Sequence, residues 1–138
     1  MADYAKPVPA PSTSTRFFWE GCRAHQLVLQ RCSSCDAFRF PPSVICPECL
    51  STDWEVAPLS GRGTVHTFGV YHRLYHKAFE PELPYVVGII ELEEGPRLLS
   101  NVVGCRPEDV YCGMSVRVVF EDITDEATLY KFEPDSPP

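Results

Sequence analysis

The feature that most limits how this chain can fold is Cys32-Ser33-Ser34-Cys35, followed ten residues later by Cys46-Pro47-Glu48-Cys49. The thiolates of a C-x2-C turn converge on one ion, and two such turns supply four sulfurs around a tetrahedral metal. At this short spacing they predict a zinc ribbon, with Cys32, Cys35, Cys46 and Cys49 as ligands of one structural zinc ion. Redox chemistry of the thioredoxin kind would need a βαβ setting around one pair, and none is visible. Asp36 and Leu50 stand where a glycine often completes each turn. Asp tolerates a left-handed backbone moderately and Leu poorly, so the second turn is expected to be looser.

The segments beside the metal turns follow from short-range pattern. Leu27-Val28-Leu29 leads into Cys32 as a strand, and Phe38-Arg39-Phe40 returns beside it until Pro41-Pro42 ends the pairing. Ahead of them Ser14 or Thr15 can cap a helix that holds Phe17, Phe18, Trp19 and Cys22, kept short by Gly21. Successive helical side chains are about 100° apart, so three adjacent aromatics cannot share one face. Phe17, Phe18 and Trp19, with Phe38, either pack on the ribbon or present an exposed docking surface. Met1–Ser14, rich in Pro, Ala, Ser and Thr, reads as a flexible tail or linker.

From Gly61 the pattern changes to strands: Thr64–Tyr71, Tyr85–Leu92, Arg97–Val103, Ser115–Glu121 and Leu129–Phe132. The fourth alternates Val116, Val118 and Phe120 against Arg117, Val119 and Glu121, as a half-buried strand does. The first two are apolar nearly throughout, which predicts cover on both faces, and Gly69 and Gly88 suggest bulges or sharp coiling. Pro107–Val110 reads as a helical turn. Five strands with a short helix after the third is the order of an OB-fold barrel. The chain is thus expected to be mainly β: a tail at 1–14, a helix and rubredoxin-like ribbon at 15–58, a five-stranded OB-fold at 59–133 and a tail at 134–138. Gly61-Arg62-Gly63 lacks the third glycine and the following helix of a phosphate loop.

The longest connection, His72–Pro84, joins the first two barrel strands and carries His72, Arg73, Tyr75, His76, Lys77 and Phe79. In OB folds it borders the usual ligand face. Aromatics interleaved with cations could stack on a flat heterocycle and meet phosphates, and the plain alternative is a solvated loop.

Charge narrows the partners. With 12 Lys+Arg against 19 Asp+Glu the formal net charge is -7, the wrong sign for gripping a phosphate backbone, so nucleic acid is disfavoured. The opening residues carry no secretory pattern and no apolar run approaches the ~20 residues that cross a bilayer, which predicts no membrane role and a reducing cytoplasm. Cys22, Cys105 and Cys112 are then expected as buried apolar residues rather than reactive thiols. His25, His66, His72 and His76 are scattered over helix, strand and loop, and no pattern pairs one with a nucleophile.

The pieces Phe18-Trp19-Glu20-Gly21, Gln30-Arg31-Cys32, Phe40-Pro41-Pro42, Cys46-Pro47-Glu48-Cys49, Gly61-Arg62-Gly63-Thr64-Val65, Pro84-Tyr85-Val86-Val87 and Gly113-Met114 occur in a telling order. In that order the chain resembles the zinc-ribbon/OB-fold acyl-CoA-associated family, catalogued as domain of unknown function thirty-five. The resemblance implies a small subunit or fused domain, not catalytic by itself, that completes an enzyme acting on coenzyme A thioesters. The implied partners are thiolase-superfamily enzymes, among them lipid-transfer-protein-like aldolases of steroid side-chain breakdown, and sometimes hot-dog-fold hydratases. It also implies help in holding the acyl-CoA. A stand-alone acyl-CoA carrier and a single-stranded nucleic-acid binder are the rival readings.

Overall fold

In the computed structural model, which describes residues 4–135, the chain opens with an α-helix, α1 (Arg16–Arg23). Thr15 is its cap by position, but its hydroxyl does not cap the helix. Thr15 Oγ1 instead accepts from the Ser12 N–H at 2.9 Å, because the preceding chain turns back on itself and takes the hydroxyl. The expected side-chain cap is therefore absent. Gly21 lets the helix sit close against the segment after it: a Cβ there would lie 2.6 Å from Val28 Cγ2 and 2.9 Å from the Gln26 carbonyl oxygen.

Next come β1 (Val28–Cys32), β2 (Phe38–Arg39) and β3 (Trp54–Pro58), an antiparallel sheet in the order β2-β1-β3. The return strand β2 stops short of Pro41-Pro42, as expected. The strand β3 has no counterpart in the sequence-based expectation. Only Ala57 of its five residues is buried, so it lacks the alternation that betrays a half-covered strand.

The strands β4 (Arg62–Tyr71), β5 (Tyr85–Leu92), β6 (Arg97–Val102), β7 (Ser115–Asp122) and β8 (Thr128–Pro134) close a barrel in the order β4-β5-β6-β8-β7. The barrel closes where β7 pairs with β4, and β6 meets β8 in parallel. This is the five-stranded OB arrangement. A 3-10 turn (Pro107–Asp109) separates β6 from β7, and another, Lys77–Glu82, interrupts the long connection read as loop. Along β5 positions alternate between buried and half-buried, so both its faces are covered. The expectation fails for β4, where His66 and Thr67 lie open to solvent. The register of β4 slips between Val65 and Thr67, and not at Gly69 or Gly88, which both stay in register. Gly88 serves packing instead, since a Cβ there would come within 3.3 Å of Val102 Cγ2.

One apolar core joins helix, ribbon and barrel: Phe18, Cys22, Leu27 and Leu29 belong to the same cluster as Val65, Ile90, Leu98, Val116 and Phe132. Burying Phe18, Leu27 and Leu29 stabilises this junction by about 1.5–3 kcal/mol each. The Leu59 N–H donates to the Leu27 carbonyl at 2.9 Å, tying the ribbon to the start of the barrel. Ahead of the helix, Lys6 Nζ lies 2.5 Å from Glu82 Oε2 and 5.4 Å from the Phe79 ring centre, so this part of the expected tail rests on the barrel. Positions 1–3 and 136–138 of the expected tails fall outside the described residues. Among the described residues no helix is long and apolar enough to cross a membrane.

Candidate functional site

Each C-x2-C turn is closed by two backbone hydrogen bonds. In the first, Asp36 N–H donates to Cys32 O at 2.9 Å and Cys32 N–H to Ala37 O at 2.8 Å. In the second, Leu50 N–H donates to Cys46 O and Cys46 N–H to Ser51 O, both at 2.9 Å. Asp36 and Leu50 take the same left-handed backbone, with φ of 64° and 66°. The second turn is therefore as tight as the first, contrary to expectation. Its paired bonds impose the conformation, and Leu50 carries a steric cost of about 1–2 kcal/mol.

The four Sγ atoms lie within 4.8 Å of one another, with Cys32–Cys49 at 3.6 Å and Cys35–Cys46 at 3.7 Å. A tetrahedron with zinc–sulfur bonds of roughly 2.3 Å has edges of about 3.8 Å, so the cluster fits one zinc ion. Its protonation points the same way. Desolvation opposes a charge on Cys32, but the N–H groups of Cys35 and Ser34 and the neighbouring thiols hold it down at about 6. Cys46 is lowered chiefly by the Cys49 N–H. Cys35 is pushed up to about 12: the Ala37 N–H favours its thiolate, yet desolvation and the sulfurs of Cys49, Cys46 and Cys32 outweigh it. At Cys49 the Ser51 N–H likewise loses to the Cys32 sulfur and desolvation, and the thiol is raised. Four neighbouring thiolates thus need a dication to ionise together. Zinc held by four thiolates has no open coordination position, which makes it structural, and the loaded centre carries a net charge of about -2.

Behind the cluster the Ser43 backbone is gripped from two strands. Its N–H donates to Gln30 Oε1 at 2.8 Å, and its carbonyl accepts from Gln30 Nε2 at 3.1 Å and Arg39 Nη1 at 2.9 Å. Arg39 is 4% exposed, and its Nε and Nη2 have no partner among the described residues.

The aromatic side chains expected at the surface mostly pack inward. Phe18 is 3% exposed, a core residue wedged against Phe40 and Tyr130, which corrects its place on a docking surface. Phe17 lies on Trp54 at 5.0 Å, and Trp19 stands edge-to-face with Phe18 at 5.2 Å and tilted against Tyr130 at 6.2 Å. Phe17, Trp19 and Phe38 remain half-buried, so each keeps only part of its surface for a partner.

The His72–Phe79 stretch is brought together with two residues that sequence reasoning missed, Tyr71 and Tyr85. Their rings stack at 5.6 Å with planes 4° apart, Tyr75 joins Tyr71, and Phe79 joins Tyr85. The signal was available: closing the β4–β5 hairpin sets Tyr71 opposite Tyr85. The Arg73 guanidinium lies 5.3 Å over the Tyr75 ring, and His72 and Lys77 are exposed. His76 has a local duty, its Nδ1 accepting from the Ala78 N–H at 3.1 Å to cap the 3-10 turn. Beside this aromatic cluster runs a cleft of about 530 Å³ lined by Lys6, Phe79, Tyr85, Asn101 and Lys131, among others. A wider cleft, about 970 Å³, lies between Cys105, Arg106, Tyr111, Met114 and Arg117 and includes none of the expected contact residues.

A closed four-sulfur ribbon, packed through a short helix onto an OB barrel, defines a zinc-ribbon/OB-fold protein. The chain belongs to the ChsH2/DUF35 family: residues 19–55 match the rubredoxin-like zinc ribbon domain of ChsH2, and residues 56–121 its C-terminal OB-fold domain. It is 45% identical over 115 residues to a DUF35 domain-containing scaffold protein of Methanocaldococcus jannaschii, covering 78% of this chain and 81% of that one. It is 39% identical over 132 residues to a probable enoyl-CoA hydratase alpha subunit of Thermomonospora curvata, covering 96% of this chain but 41% of the relative, so it spans about two fifths of that protein. The benzoylsuccinyl-CoA thiolase subunit BbsA of Thauera aromatica is 31% identical over 103 residues, 75% of this chain and 69% of that one. Among solved structures, a chain of the Ltp2-ChsH2(DUF35) aldolase superposes with a TM-score of 0.85 at 39% identity, covering 93% of this chain and 99% of that chain.

Proposed function

We propose that this chain is a non-catalytic subunit or domain that binds and completes a thiolase-like acyl-CoA enzyme, an aldolase of steroid or lipid side-chain breakdown. The observation that carries this reading is the near end-to-end likeness to a chain of the Ltp2-ChsH2(DUF35) aldolase. The metal geometry agrees with it, since a closed four-sulfur site stiffens a scaffold and offers no Lewis acid to a substrate. Carbon–carbon chemistry then belongs to residues of the partner, while this chain orders the partner's active-site loops and keeps water from the acyl group. The half-buried Phe17, Trp19 and Phe38 and the His72–Phe79 loop are the contacts we assign to the partner or the coenzyme, and the cytoplasm is the compartment. The stacked Tyr71 and Tyr85, with Arg73 over the adjoining Tyr75, favour some direct contact with the acyl-CoA. The hydratase subunit among the relatives supports a hot-dog-fold hydratase as second partner.

The test is co-expression with a thiolase-like subunit of the same host. The two should leave a sizing column together, and retro-aldol turnover of an acyl-CoA should need both. Full activity of the larger subunit alone would defeat the proposal. Calorimetry with a coenzyme A ester separates it from a free-standing carrier, which must bind the ester without any partner.

A further inference from the structure

Among the described residues, five of the eleven large apolar side chains that stand exposed fall within residues 44–56, namely Val44, Ile45, Leu50, Trp54 and Val56. The ribbon therefore presents apolar surface out of proportion to its length. Val44 is 70% exposed and Leu50 is 74% exposed; Leu50 lies within the hydrogen-bonded turn Cys46–Ser51, and Ile45 directly precedes it. Leu50 is unfavourable there twice over. Its φ of 66° is glycine's territory, and its side chain projects into water. A residue that costs stability in both respects is explained by something that covers it.

Charge says what. Asp36, Glu48 and Asp53 are exposed at the same end of the chain's fold and form no ion pair among the described residues. The two nearby cations are engaged, Arg31 with Glu55 and the buried Arg39 with Ser43. Zinc bound by four thiolates adds its own net negative charge. A second copy of this chain would set like charges against each other, and nucleic acid would be repelled.

We propose that the second metal turn, with Leu50 at its centre and Val44 and Ile45 beside it, docks into an apolar recess rimmed by lysine and arginine on the thiolase-like subunit. This deepens the function proposed above and rests on it.

Leu50→Gly provides a clean test, because glycine accepts the left-handed backbone and leaves the turn intact. The zinc-loaded variant should keep its metal content and melt no lower than the natural chain, since glycine relieves the strain at this position. Its affinity for the co-purified thiolase-like subunit should fall at least roughly tenfold, as loss of a central apolar anchor does. Glu48→Lys with Asp53→Lys should slow association at low salt and erase much of its salt dependence. If the natural chain forms no complex, the partner reading falls and this one with it. If the natural complex forms and Leu50→Gly binds within about twofold of it, only the ribbon face is overturned. A dimer of this chain alone, lost on Leu50→Gly, would assign the face to a second copy and equally overturn the proposal.

Discussion

Cys22 and Cys112 carry the same thiol, and position separates their chemistry. Cys22 is wholly buried between the helix and the barrel, and desolvation pushes its thiol up to about 12. Cys112 lies open in the turn before β7, contrary to the expectation that all three spare cysteines are buried. Hydrophobic composition could not separate them, since burial depends on which side of a turn faces the core. The thiolate is the reacting species, so Cys22 should resist iodoacetamide in the folded protein near neutral pH while Cys112 is alkylated. Mass spectrometry of the tryptic peptides checks this. Alkylation of Cys22 at the rate of Cys112 would mean that the helix does not stay seated.

At the scale of elements, the helix is held at its far end by more than packing. His25, just beyond α1 in left-handed backbone (φ 57°), places Nε2 2.9 Å from Asp122 Oδ1 at the end of β7. Thr128 Oγ1 donates to the same oxygen at 2.6 Å. The Thr128 hydroxyl first, and His25 second, hold the Asp122 carboxyl below its usual range. A depressed folded value means that the ionised group adds stability above about pH 4, and this contribution fades as pH falls through the lower folded value. Asp122→Asn should therefore lower the melting temperature in the neutral region, converge with the natural chain at low pH, and so flatten the acid limb. Identical acid limbs would show that the link contributes nothing. Such a link was invisible in sequence, because His25 and Asp122 are 97 positions apart and nothing local pairs them. Elements with a pattern of their own were legible: the nearly unbroken apolar run at Tyr85–Leu92, interrupted by Glu91, marks β5 to the residue. The strand β3 was missed because its residues face water, and the Lys77–Glu82 turn because Pro81 inside it reads as a breaker. The four metal ligands were legible because their geometry is local, whereas the Tyr71–Tyr85 stack appears only once two strands pair.

For the whole molecule, the question is whether metal and core hold one structure or two. Between Ser33 and Asp53 only Arg39 and Cys46 are buried, so burial alone cannot keep the two metal turns folded. Zinc supplies what is missing there, of order 10 kcal/mol in small metal-held folds. The helix and β1 are different, because Phe18, Leu27 and Leu29 share the core of the barrel, and the Leu59–Leu27 hydrogen bond persists without any ion. Stripping zinc with a chelator should therefore abolish amide-exchange protection across residues 32–53 while β4–β8 keep theirs. Replacing Cys32 or Cys49 by Ser should reproduce that pattern without a chelator. Chelation should also break the partner complex, since the surface proposed to dock is carried by the turn that zinc closes. Loss of protection spread evenly through the barrel would mean that the shared core transmits the collapse, and that the ribbon is a keystone rather than a bracket. Survival of protected turns without metal would instead remove zinc from the account of stability altogether.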